Sequence, residues 1–274
     1  MANGKILFGR KCVVTVDTLR ITDLAMSFSV QKDLTGKPNT VDLKILNLNP
    51  DHRSAIEQKK SARVQIEAGY DSGTSVIFIG DLRTSVSTWS GPNCTTSLSA
   101  GDGEKAVRTA RVNVSVKKGT KTGDVLKMVA QALGVGEGNL KDAVAKLNAS
   151  GIGDIFASGT VLTGSAAREM TAICRSSKLT WSIQDGKLQI LSLRQALEGV
   201  ALDIRASTGL IGSPTVDNKK ILSCKVKLIP DVFPGRKMVL TSERLKGQYR
   251  IEECTYSGDT HGDPWEIDIK AKRY

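Results

Sequence analysis

Residues whose types could do chemistry are few in this chain, and they are widely spaced. There are two histidines, His52 and His261, and five cysteines. A Cys174–His261 pair would be one way to build a thiol nucleophile, because a neighbouring imidazole can activate a cysteine. Nothing in the sequence brings these two residues together. We therefore expect no enzymatic activity, and the sequence supplies no catalytic residue.

The segment around His261 is the other candidate for chemistry. His261 with Asp259 and Asp263 would offer imidazole and carboxylate ligands to a metal ion. The same run, residues 257–264 (SGDTHGDP), is rich in Asp and Gly, which favour turns. We expect a polar turn between strands, with no metal and no cofactor. The cysteines form no Cys-x-x-Cys pair, which indicates buried, reduced thiols.

Residues 134–138 (GVGEG) are similar to a phosphate-binding loop only in their glycines. Such a loop needs a preceding strand and a Lys-Ser or Lys-Thr pair after it, and this segment has neither. It follows a predicted helix, so we expect a helix C-cap and linker.

Composition excludes several classes of protein. The longest continuous apolar run, residues 76–79, is far shorter than the roughly 20 residues of a membrane span. The first ten residues lack the apolar stretch of a signal peptide, so we expect synthesis in a cytoplasm and no membrane insertion. The net charge of +11 suits nucleic acid, an acidic partner surface or simple solubility. No block of five or six like charges appears, which argues against a basic DNA-binding arm.

The chain divides into three regions by its predicted secondary structure. Residues 1–105 and 199–274 contain short alternating strands and many turns, which favour a barrel or sandwich. The clearest strand, residues 40–48, alternates through Val41, Leu43 and Ile45. Residues 106–198 read as a small α+β insert. The predicted fold class is mainly β with an α+β insert between two β domains.

The insert is predicted in more detail from helical spacing and turn residues. Thr122 is expected to cap a helix over residues 123–133, and Asn139 a second helix over 140–148. A third helix is expected over residues 165–176. The pair Asp185-Gly186 separates two alternating strands and predicts a hairpin with a type I′ turn.

A similar series of predicted strands occurs twice, once in each β region. The first copy has strands at residues 62–68, 75–82 and 95–100; the second has them at 236–241, 248–254 and 265–271. Both copies carry an aromatic-Ser-Gly run, at residues 89–91 and 256–258. A duplicated unit constrains the whole fold. Few residues are identical between the copies, so two unrelated β-meanders remain the alternative.

Several of these segments together resemble a known family. Residues 39–51 (NTVDLKILNLNPD), 64–70 (VQIEAGY) and 77–81 (IFIGD) are similar to bacteriophage baseplate hub proteins. This is the late-control-protein-D-like group, which is related to tail-tube proteins. The C-terminal run 258–271 (GDTHGDPWEIDIKA) looks like the closing hairpin of the same group. The resemblance covers both β regions, whereas the insert matches only in kind.

The resemblance implies two tube-protein-like β-barrels, residues 1–105 and 199–274, flanking the insert. It also implies a homotrimer that adapts a hexameric tail tube to a trimeric spike and forms part of the channel for the genome and the tape-measure protein. The implied partners are the tail tube or a distal tail protein, the spike and the tape-measure protein, with DNA only in transit. The implied location is the baseplate or tip of a virion tail.

In such barrels a long hairpin lines the lumen. The matching segments here are residues 25–34 with 40–46, and 223–228 with 237–241. Alternate side chains would face the channel, which makes Gln31, Lys44, Lys225 and Lys227 the lining candidates. Ordinary solvent-facing strand positions remain the alternative. A strongly positive lumen would slow the passage of DNA, so we expect much of the positive charge on surfaces between rings or facing the tape-measure protein.

A second hypothesis comes from the binding proteins: a basic β-barrel that binds nucleic acid. It would show a steep salt dependence of affinity. Aromatic residues are only 4% of the chain and do not alternate with basic ones, as stacking platforms for single strands would require.

Overall fold

The computed structural model describes residues 8–59, 61–150, 155–193 and 195–273. Its helices are α1 (Pro50–Glu57), α2 (Glu104–Thr109), α3 (Thr122–Leu133), α4 (Leu140–Ser150) and α5 (Ala166–Ser176), with a 3₁₀ turn at Ala206–Thr208. The strands before the first hairpin of the insert are β1 (Arg10–Val16), β2 (Leu19–Ile21), β3 (Met26–Asp33), β4 (Thr40–Leu46), β5 (Arg63–Tyr70), β6 (Gly73–Ser90) and β7 (Asn93–Gly101). The remaining strands are β8 (Arg111–Val116), β9 (Thr160–Ser165), β10 (Leu179–Gln184), β11 (Lys187–Ser192), β12 (Leu202–Ile204), β13 (Leu210–Val216), β14 (Ile221–Lys227), β15 (Lys237–Thr241), β16 (Lys246–Asp259) and β17 (Trp265–Lys272).

The chain forms two compact units. The β unit comprises the described residues up to Asp33, residues 39–101 and those from Ala196 onward; the α+β unit comprises residues 34–38 and 102–195. The mainly β class with an α+β insert is confirmed, and the predicted boundaries of the insert stay predictions. The two terminal regions make one unit because β3 pairs antiparallel with β16 in a 13-stranded sheet. Their division into separate barrel domains stays a prediction.

Within the β unit, the same strand order occurs twice. The first half (β1–β7) runs β3-β4-β7-β6-β5-β1, with β2 beyond it. The second half (β12–β17) runs β13-β14-β17-β16-β15-β12. The halves differ at the last step, since β1 is antiparallel to β5 whereas β12 is parallel to β15. The duplicated strand pattern of the sequence therefore has a counterpart in the topology.

A β-bulge fixes how the two halves align. The β6–β7 ladder shifts between Leu82 and Thr84, and the β16–β17 ladder shifts between Ile251 and Glu253. A bulge bends the strand that carries it, so a shared bulge indicates the same bend in both long strands. Superposing the bulges makes Ala100 equivalent to Ala271.

This alignment corrects one part of the predicted repeat. Gly91 lies in the turn between β6 and β7 with φ of 59°, whereas Gly258 lies inside β16. The residue equivalent to Gly258 is Trp89, two positions from where the aromatic-Ser-Gly run places it. That run is shared by chance, because tight turns and close strand contacts both select glycine.

Period-two alternation builds the core of the β unit. Val41, Leu43 and Ile45 of β4 are buried, as their spacing predicts, while the residues between them are exposed or half-buried. The equivalent residues of β14, Leu222, Cys224 and Val226, are buried in the same alternation. Each strand therefore has one apolar face in the core and one polar face outside it.

The α+β unit follows its local signals closely. The three predicted helices correspond to α3, α4 and α5, and the Ser165 side chain accepts a hydrogen bond from the Arg168 amide at the start of α5. The prediction of Thr122 as a cap is wrong by one residue, since Lys121 holds the N-cap position. The Asn139 side chain exchanges two hydrogen bonds of 2.8 Å with the backbone of Ile190.

The Asp185-Gly186 hairpin between β10 and β11 is confirmed. Both residues have positive φ, 54° and 78°, as a type I′ turn requires. The buried carboxylate of Asp102 accepts hydrogen bonds from the amides of Asp185 at 2.6 Å and Gly186 at 2.9 Å. These charge-assisted bonds fix the turn to the rest of the α+β unit.

Candidate functional site

The candidate site is the polar face, which we define as the side of the β unit's sheet that points away from its core. Gln31, Lys44, Lys225 and Lys227 all lie on it, each at an exposed or half-buried position that alternates with buried residues. Successive side chains of a strand point to opposite sides of a sheet, so these four share one side. The structure thus brings all four predicted residues onto a common surface.

Strand register shows which residues neighbour them. Lys44 lies opposite Ser27 and Ser97, and Lys225 lies opposite Ile211 and Asp268. Because Ser97 and Asp268 are equivalent in the two halves, Lys44 and Lys225 are equivalent as well. Both lysines were predicted from the sequence as lining candidates. Their equivalence could not be predicted, because it depends on the positions of the bulges.

The charges on the polar face are mixed. The Lys225 ammonium donates a hydrogen bond to Glu266 and lies 3.8 Å from Asp268, while Lys270 donates to Glu253 at 3.0 Å. The hydrogen bond to Glu266 is the main reason that the pKa of Lys225 is raised above its usual value. Carboxylates beside these lysines reduce the attraction of the face for a polyanion.

A groove of about 630 Å³ runs along the polar face where the two halves meet. Its walls include Ser29, Asp42, Lys44, Ser97 and Ser257, which come from strands of both halves. Six of its sixteen described lining residues carry a hydroxyl group, and Phe28, whose side chain is buried, is the one aromatic residue among them. Such a surface can contact water or a passing polymer through hydrogen bonds, and it has no array of stacked rings to hold bases.

The segment around His261 is a turn, as its composition predicts. Asp259 Oδ1 accepts hydrogen bonds from the amides of His261 and Gly262, each at 2.8 Å. Asp263 instead pairs with Arg10 at 3.1 Å. In the part of the chain that the structure describes, no three His, Cys, Asp or Glu side chains are grouped to hold a metal ion.

The other chemical candidates also have structural roles. Gly134 ends α3 with φ of 67°, and its amide donates to the Gln131 carbonyl, which confirms the predicted C-cap. All five cysteines are buried and none forms a disulfide, and burial raises the pKa of Cys174 to about 12. The thiolate is the reactive form of cysteine, so a raised pKa suppresses nucleophilic attack. None of the helices in the described residues has the length and hydrophobicity that a membrane span requires.

Thiol labelling should show this protection directly. At pH 8 we expect the cysteines of the native chain to react with a disulfide reagent at least about 100-fold more slowly than those of the urea-unfolded chain, because burial blocks access and disfavours the thiolate. A Val200→Cys variant is the matched control, since Val200 is 86% exposed and its thiol should react at the unfolded rate. A native cysteine that reacts as fast as this control would contradict the assignment of buried, inert thiols.

Among the described strands, the sheet ends at β2 and at β12, and it also has two longer open edges that the sequence did not reveal. Residues 84–90 of β6 pair with β7 on one side, and β13 pairs with β14 on one side. Among the described strands, neither has a partner on its other side. Exposed apolar side chains lie along both edges: Val86, Trp89, Ile211 and Val216. Exposed valine or tryptophan on a strand is the only sequence signal that could have indicated them.

Solved structures with a similar fold include two phage-related tail proteins and a component of a secretion system. The 43 kDa tail protein of prophage MuSo2 from Shewanella oneidensis matches with a TM-score of 0.69 at 10% identity, over 96% of this chain and 97% of that one. A tail protein from Neisseria meningitidis MC58 matches with a TM-score of 0.64 at 13% identity, over 97% of each chain. An Escherichia coli component of the type VI secretion system, described as similar to the T4 tail proteins gp27 and gp5, matches with a TM-score of 0.61 at 9% identity, over 95% of this chain and 76% of that one.

Sequence comparison gives the family itself. No curated protein matches the chain significantly. The family model described as baseplate hub gp41 matches residues 11–271, which include both halves of the β unit and the whole insert. The chain therefore belongs to the baseplate hub gp41 family, a structural component of phage tails.

Proposed function

We propose that three copies of this chain form a ring that joins a hexameric tail tube to a trimeric spike. The observation that carries the proposal is the strand order that occurs twice in the β unit. Three chains with two equivalent halves present six similar modules to one partner and three identical chains to the other. Membership of a baseplate hub family supports the proposal.

The polar face is the proposed lining of the channel through this ring. Gln31, Lys44, Lys225 and Lys227 would contact the genome and the tape-measure protein as they pass. The pairing of Lys225 and Lys270 with carboxylates supports a channel that DNA passes through, because a lysine paired with a carboxylate attracts DNA less strongly. The remaining proposed partners are the tail tube or a distal tail protein on one side and the spike on the other.

Mass measurement of the full chain tests the proposal. Native mass spectrometry and light scattering should give three chain masses at micromolar concentration, and the trimer should bind both the tube protein and the spike. A monomer at every concentration that binds neither partner would overturn it. Tight DNA binding with a steep dependence on salt would instead favour the nucleic-acid-binding alternative.

A further inference from the structure

The second half of the sheet shows how an edge like that of β6 is covered by a neighbouring strand. β16 pairs with β15 through Lys246–Arg250, and beyond its bulge residues 253–259 pair with β3 on the same side. In the first half, β6 pairs with β5 through residues 73–81. Beyond its bulge, residues 84–90 have no partner on that side among the strands that the structure describes. The first half therefore lacks the neighbour that the second half has.

The missing neighbour can be identified from the repeated strand order. The strand that covers β16 is β3, the first strand of the other half. The strand equivalent to β3 is β13, because each forms the outer hairpin strand of its half. β13 of the same chain lies at the far end of the sheet from β6, with its own outer edge open. Only a second copy of the chain can bring an equivalent strand to β6.

We propose that β13 of one copy pairs antiparallel with residues 84–90 of β6 in the next copy, as β3 pairs with β16 within a chain. This inference rests on the proposed trimer and specifies its interface. The contact is head-to-tail, so the β13 edge of each copy contacts one neighbour and its β6 edge contacts the other neighbour. Such contacts form a closed ring when the rotation between copies is a whole fraction of a turn.

The β3–β16 pairing also fixes the register. Ser29 and Val30 of β3 lie opposite Ser257 and Tyr256 of β16. Their equivalents are Thr215 and Val216 in β13, and Thr88 and Ser87 in β6, which follows from the ladders with β14 and β7. Thr215 is therefore placed opposite Thr88, on the polar face. Val216 is placed opposite Ser87, on the core side.

In the β3–β16 pairing and in the proposed β13–β6 pairing, a large side chain on one strand faces a small residue on the other. The two pairings differ in which strand carries the large side chain. Within the chain, the Phe28 ring covers Gly258, and a Cβ at Gly258 would lie 2.3 Å from that ring. At the open edge, the large residue is on the other strand, since Trp89 is equivalent to Gly258. The segment of β13 that would face it, residues 212–214 (GSP), contains no large side chain and bulges from the β14 ladder. A bulge can also accommodate the missing amide of Pro214.

The exposed fractions of equivalent side chains also distinguish the open edges from the covered pairing of β3 with β16. Val216 is 44% exposed, whereas its equivalent Val30, at the covered junction, is 0% exposed. Trp89 is 64% exposed, although the Arg53 guanidinium lies 5.1 Å from its ring centroid. An open strand edge with apolar side chains is a template for pairing with another chain. Pairing between copies would cover both edges at once.

A cysteine pair tests the register in the full-length chain. Opposed Cα atoms in an antiparallel pair lie about 4.5–5.5 Å apart, which suits a disulfide. We expect the Thr88→Cys, Thr215→Cys variant to form covalent dimers and trimers under mild oxidation, seen on a non-reducing gel and lost on reduction. The native cysteines are buried and should give no background. Mixing the two single variants should give covalent dimers and no trimers.

The matched control shifts one cysteine by a single residue. In the Thr88→Cys, Val216→Cys variant the two thiols would lie on opposite sides of the sheet, so at least tenfold less cross-linking is expected. Trimers by mass with equal or absent cross-linking in the two variants would overturn the proposed interface and leave the trimeric function standing. A chain that is monomeric by mass would overturn both.

Discussion

Replacing Gly258 by alanine is expected to lower the free energy of unfolding by about 3 kcal/mol, the upper range for overpacking a closed core. The added Cβ would lie 2.3 Å from the Phe28 ring. That ring cannot move aside easily, because it is buried and packs edge-to-face on Trp265 with centroids 5.6 Å apart. The damage would fall on the β3–β16 pairing that joins the two halves of the β unit.

Denaturant unfolding followed by circular dichroism measures this effect. Gly262→Ala is the control, since its Cβ would meet no atom closer than 3.5 Å, an ordinary contact. The Phe28→Leu, Gly258→Ala double variant should be more stable than the sum of the two single losses predicts, because the smaller side chain leaves room for the methyl group. Equal stabilities of Gly258→Ala and Gly262→Ala would show that the junction is not tightly packed.

Replacing Val216 by lysine is expected to raise the dissociation constant of the trimer at least about 100-fold, which is roughly 2.7 kcal/mol. The proposed interface covers residue 216 as the chain itself covers Val30, and a charge buried there without a partner is costly. The isolated chain should stay folded, because Val216 is 44% exposed in it.

Sedimentation or mass photometry over a concentration series gives this dissociation constant. Val200→Lys is the matched control, because Val200 is 86% exposed and lies outside both open edges. It should leave the trimer unchanged. Trimers of equal stability in the two variants, with unchanged circular dichroism, would exclude the β13 edge from the interface.

Local features of the fold could be predicted from the sequence because their causes are local. The alternation of Val41, Leu43 and Ile45 predicts a half-buried strand, and Asp185-Gly186 predicts its hairpin through positive φ. The pairing of β3 with β16 could not be predicted, since it joins residues more than 200 positions apart and no turn or spacing encodes it. The sequence therefore indicated the two β regions but not the strand pairing that joins them in one sheet.

Only those features of the candidate site that depend on local alternation could be predicted from the sequence. Alternation alone is enough to place Lys44 on the outer side of β4, and Lys225 with Lys227 on the outer side of β14. The equivalence of Lys44 and Lys225 required the bulges at Arg83 and Glu252, which have no sequence signature. The open edges were missed because an unpaired strand edge looks like any exposed strand until its neighbours are known.

Electron microscopy of the isolated assembly tests the central claim most directly, because it counts both chains and modules. End-on class averages should show a closed ring with threefold symmetry and six similar lobes around a central channel. Rotational analysis should give strong threefold and sixfold components. A ring whose three lobes show no internal doubling, or a particle without threefold symmetry, would contradict the account of two equivalent halves in each of three chains.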